Sequence, residues 1–153
     1  MRKRGARFTR RIDPQAGLHA IAMQHQLDHS QKQTIGLALR TMLEALRLGK
    51  ADEHAFHNLA AAVNVSLVLC ERSVGEEYLD LVKRAQEALL RLYQRGRQSS
   101  RWLMDGPGLN DLREAIDLHE QQIALVSRAE AASAMREVMR RINTGDVFEG
   151  AKA

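Results

Sequence analysis

Two prolines in 153 residues, Pro14 and Pro107, leave almost the whole chain without a residue that would break a helix. Between them apolar side chains recur at threes and fours, the spacing that lines one face of an α-helix. Ala, Leu, Arg, Glu and Gln dominate the remaining positions, and all are favourable or neutral in helices. Aromatic residues make up only 4% of the chain, too few for a typical sheet-rich core. The expected fold is therefore all-α: a single-domain bundle of five or six helices.

The helix boundaries follow from capping chemistry. Asp13 before Pro14 offers an N-cap oxygen and a ring already at helical φ, opening a first helix with Leu18, Ile21, Ala22 and Leu27 on its apolar face. Ser30 to Gln33 has capping-box spacing, so a second helix is expected there, with one continuous helix as the alternative. Its stripe is Ile35, Leu39, Met42, Leu43 and Leu46, and Gly49 would end it. Asp52 opens a third, buried along Phe56, Leu59, Ala60, Val63, Leu67 and Cys70. From Leu59 to Cys70 only Asn64 and Ser66 are polar, so this helix is expected to be the most buried. A strand over 63–69 is the alternative, because valine is frequent there.

A turn at Ser73-Val74-Gly75 leads to a fourth helix through Leu81, Val82, Ala85, Ala88, Leu89 and Leu92 to about Tyr93. Residues 94–101 read as frayed helix or loop, and Asp105-Gly106-Pro107-Gly108 as the clearest break. Leu109, Leu112, Ile116 and Ile123 mark a fifth helix. Ser127 and Glu130 form a capping box for a sixth, with Met135, Val138, Met139 and Ile142 on its face. Asn143-Thr144-Gly145 stops it. The chain divides into an arm (1–12), a helical domain (13–145) and a loose tail (146–153).

Charge is distributed unevenly. Arg2, Lys3, Arg4, Arg7, Arg10 and Arg11 crowd the first eleven residues with no acid among them. The arm carries +6 and the remainder −2, giving the net +4 of the whole. A second acid-free stretch lies between Glu87 and Asp105, where Arg91, Arg95, Arg97 and Arg101 alternate with Tyr93 and Trp102. Arginine pairs bidentately with phosphate, and an exposed aromatic could stack on an unpaired base. The competing explanation is a helix C-terminus whose cations complement its dipole, beside a core tryptophan. Arg136, Arg140 and Arg141 form a third, smaller cluster with the same default explanation.

The case for catalysis is thin. His25 and His29 share a helix face with Asp28 between them, close to the inverted zinc-protease pattern His-x-x-Glu-His but with a shorter carboxylate. They are the remaining metal candidates, and a solvated polar face is the expected reading. His54 and His57 sit in the first turn of the third helix, where capping and surface roles are expected. Cys70 is expected to be a buried thiol, and a lone cysteine suits a reducing compartment. No nucleophile elbow, phosphate loop or dinucleotide fingerprint is found. No cofactor and no membrane span are expected, and the acid-poor start is read as an arm ahead of an export signal or presequence.

Residues 58–71 (NLAAAVNVSLVLCE) and 102–122 (WLMDGPGLNDLREAIDLHEQQ) resemble a group of small uncharacterised helical proteins of proteobacteria and their mobile elements. The resemblance covers 56–147 and implies a bacterial cytoplasmic accessory protein. It assigns no role to any residue. The residues themselves point to a non-enzymatic binding protein that engages nucleic acid through the arm and the Arg91, Arg95, Arg97 and Arg101 patch. The alternative is a regulator or stoichiometric inhibitor from a bacterial mobile element, docking on an acidic protein surface. Apolar face width leaves monomer and homo-oligomer both open.

Overall fold

A computed structural model describes residues 29–145. The basic arm, the helix expected from Asp13 and the tail from 146 onward lie outside them. Five helices follow one another: α1 (His29–Leu48), α2 (Glu53–Glu71), α3 (Leu79–Ser99), α4 (Gly106–Leu125) and α5 (Arg128–Thr144), with a 3-10 turn at Glu76–Tyr78. The all-α bundle is as expected, and the strand alternative over 63–69 falls inside α2.

The caps show why the helices begin where they do. Asp52 accepts a hydrogen bond from the Ala55 N–H at 2.8 Å, opening α2. Ser127 and Glu130 complete a reciprocal capping box on α5. Gly49 ends α1 in the left-handed region, at φ +68°, which only glycine adopts without strain. Three boundaries differ from expectation. The backbone is already helical at His29 and Ser30, so Ser30 is not an N-cap. Helix α3 runs on to Ser99, because Gly96 is buried against the core and carries the helix past its polar stretch. Asp105-Gly106-Pro107-Gly108 is not a loop but the cap and first turn of α4. The Asp105 carboxylate accepts from the Gly108 N–H at 2.7 Å, and Pro107 sits where a missing N–H costs nothing.

Helix α2 is central and packs against all four others. Its Phe56, Leu59 and Val63 join Leu39, Leu43 and Leu46 of α1, Val82, Leu89 and Leu92 of α3, and Leu112 and Ile116 of α4 in the main core. Its far end, Val65, Val68 and Leu69, meets Ile123, Val126, Ala134 and Val138 in a smaller cluster beneath α5. Ile35, expected on the buried stripe of α1, is exposed. So are Met135, Met139 and Ile142 of α5.

One end of the bundle is closed by aromatic packing. Trp102 is 6% exposed, pairs its backbone with Ala51 in an isolated antiparallel bridge, and stacks near Phe56 at 5.3 Å between ring centroids. Its indole lies flat over Gly96, where an added Cβ would stand 2.5 Å from the ring. Gly96→Ala should therefore destabilise the protein by at least about 1 kcal/mol despite alanine's better helix propensity, because the clamped ring cannot retreat. Gly106→Ala, with nothing within 4 Å, should be close to neutral. Urea unfolding of the two variants checks this contrast.

Candidate nucleic-acid interface

The topology gathers the second basic stretch at the end of the bundle where α1 and α3 both terminate. Arg101 lies over Gly49, its guanidinium 3.4–3.5 Å from where a glycine Cβ would stand, so the end of α3 meets the end of α1. That contact brings in Lys50, an exposed cation that sequence reasoning missed. Its only signal was its place just after a helix-ending glycine. Two helix carboxyl ends converge here, and their partial negative charges account for cations at this position.

The four arginines are not equivalent. Arg95 reaches across the loop to Asp105 at 3.4 Å and to the Leu103 carbonyl, holding the α3–α4 connection. Arg97 lies over the Tyr93 ring, 5.8 Å from its centroid. Arg91, Arg97 and Arg101 are exposed and make no ion pair among the described residues. The Asp105 carboxyl is held below its usual range, first by the Gly108 N–H and then by Arg91 and Arg95. It therefore stays ionised and neutralises part of this surface. Neither aromatic is open for base stacking: Trp102 is buried and Tyr93 is half-buried beneath Arg97.

Two members of the third cluster are paired internally, while Arg136 is exposed. Arg140 and Arg141 both bind Glu137, holding its carboxyl at about 2, and Arg141 also binds Glu71 at 2.6 Å. A shallow cleft between α1 and α4 is crossed by Arg40, which bridges Asp117 and Glu120 at 3.0 and 2.9 Å. One cation against two carboxylates leaves a small negative excess there.

The candidates for chemistry are equally occupied. His54 bonds with Asn58, and His57 lies 3.5 Å from Glu53, both on the outside of α2. His25 and the side chain of His29 lie outside the described residues, as do all six arm cations. Among the described residues no group of three metal-ligating side chains occurs. Cys70 is buried and donates to the Gly75 carbonyl; desolvation pushes its thiol pKa up, with Glu77 and Glu71 adding to the rise. A nucleophile needs the opposite shift.

No motif or spacing signals the polar network that surrounds Cys70. Gln122, almost fully buried, donates through its amide to the Ser66 and Val74 carbonyls and to Cys70. Ser66 also meets Nδ1 of His119 at 3.3 Å. These bonds tie α2 to α4 and hold the turn after α2 in place. Ser66 and His119 are both buried, so the pair reads as structural.

No protein-family model, no curated protein and no solved structure matches this chain.

Burial lowers the His119 pKa to about 4 from an ordinary 6.5. The unfolded chain therefore binds a proton that the native state refuses between those values. The stability this confers is complete above about pH 6.5 and is lost as pH falls through 4, amounting to about 3 kcal/mol. Urea midpoints measured from pH 7 to 4 should fall for the natural protein. They should fall less for His119→Leu, once that variant's own loss of the Ser66 contact at pH 7 is subtracted.

Proposed function

We propose that this protein is a non-enzymatic binding protein that engages nucleic acid by phosphate neutralisation. The observation that carries the reading is the exposure of Lys50, Arg97 and Arg101 where α1 and α3 terminate, with Arg91 exposed about two turns earlier on α3, none of them in an ion pair among the described residues. The arm adds six further cations. With Trp102 in the core and Tyr93 covered, no platform to grip an unpaired base is open among the described residues. The reading is thus of backbone contacts, indifferent to sequence, to which duplexes present a dense row of phosphates.

A second reading has its own support. Leu48 and Leu103 are exposed at the same end, and a basic surface with apolar contacts also suits an acidic protein. Substitution separates the two, because phosphate contacts do not use these leucines.

Fluorescence anisotropy with a labelled duplex, read across salt concentrations, tests the proposal. Ten phosphate contacts would give a log–log slope of about −9, and a chain beginning at Asp13 would keep about −4. Arg97→Glu with Arg101→Glu should weaken binding further at every salt concentration, whereas Leu48→Ser with Leu103→Ser should leave it unchanged. Absence of binding at low salt, or truncation without effect, would remove nucleic acid from consideration. Recovery from lysate of a defined acidic protein that the leucine variant no longer captures would favour the second reading.

A further inference from the structure

Helix α5 is packed on one side only. Ala131, Ala134 and Val138 face α2, while Met135, Met139 and Ile142 remain 43%, 49% and 48% exposed. Positions 128, 135, 139 and 142 share one face of the helix, so these three side chains form a stripe that begins at Arg128. Such a stripe on a monomer needs a cover.

The structure also shows which piece of chain arrives there. Arg128 donates to the Gln31 side chain at 2.7 Å, which places the start of α1 against the head of this stripe. The described part of the chain therefore begins beside the head of the exposed flank of α5. Nε of Arg128 is buried there without an acceptor among the described residues. Residues 13–28 carry two acids, Asp13 and Asp28, and no Lys or Arg. The stripe is bordered by Arg136, so the charges are complementary. Sixteen helical residues would span about 24 Å, against about 25 Å for the seventeen of α5.

We propose that residues 13–28 lie along this flank of α5, with Leu18, Ile21, Ala22 and Leu27 covering Met135, Met139 and Ile142. Asp28, one turn before Gln31, is the residue placed to supply an acceptor to Arg128. The arrangement is independent of what the basic end binds. It completes the bundle with a sixth helix and anchors the arm to the body.

Hydrogen–deuterium exchange on the full chain tests this, comparing it with the double variant Met135→Asp, Met139→Asp. Both sites are exposed, so α4 amides should exchange unchanged and report an intact core. Amides between Leu18 and Leu27 should be protected in the natural chain and exchange at least about tenfold faster in the variant. Leu125→Asp, 73% exposed and off the stripe, should leave them protected. Where the double variant loses helical content, Met139→Ser is read in its place. Unprotected amides in the natural chain, or protection that the variant does not change, would overturn the proposal. So would a dimer in sedimentation equilibrium that the variant dissolves, since the cover would then be a second copy.

Discussion

Helix α2 is apolar around most of its circumference, and a helix of that kind is stable in water only when other helices enclose it. From Phe56 to Cys70 it buries residues toward α1, α3 and α4 at one end and toward α5 at the other. Fully burying side chains such as Leu59, Val63 and Leu69 stabilises the fold by roughly 1.5–3 kcal/mol each. The remaining elements are arranged to deliver that enclosure. Short capped turns at Asp52, Asp105 and Ser127 reverse the chain quickly enough for each successive helix to reach α2 or its neighbours.

Two devices give this core a single arrangement where apolar burial alone would tolerate several. At one end Trp102 closes over Gly96 and against Phe56, and the absent side chain at Gly96 sets how closely the loop approaches α3. Toward the other end Gln122 joins α4 to the backbone of α2 through Ser66 and to the turn at Val74. A polar network in such a place is costly if any partner is displaced, so it penalises slippage of α4 along α2. The same burial keeps Cys70 and His119 from being reactive groups.

The basic end owes its character to these constraints. Because Trp102 belongs to the closure of the core and Tyr93 lies beneath Arg97, the arginines around them have no open aromatic face beside them among the described residues. Because Arg95 secures the loop to Asp105, the exposed cations left near this end without an ion pair among the described residues are Lys50, Arg91, Arg97 and Arg101. Helix dipoles explain why cations tolerate one another there. They do not require so many, and the excess is the basis of the binding proposal.

The residue pattern alone determined the helical class, the caps at Asp52 and Ser127, the stop at Gly49 and most of the core, because periodicity and capping are local properties. It also located the two acid-free basic stretches. Only the tertiary structure decided that Trp102 is core, that Lys50 stands beside Arg101, and that Arg140 and Arg141 bind Glu137 and Glu71. It likewise decided that Met135, Met139 and Ile142 of α5 have no cover among the described residues. Apart from the Glu137 pairs, which are three and four residues apart, each of these depends on which surfaces meet across 40 or more residues of chain, or on how wide a neighbour is. A helical repeat carries no record of either.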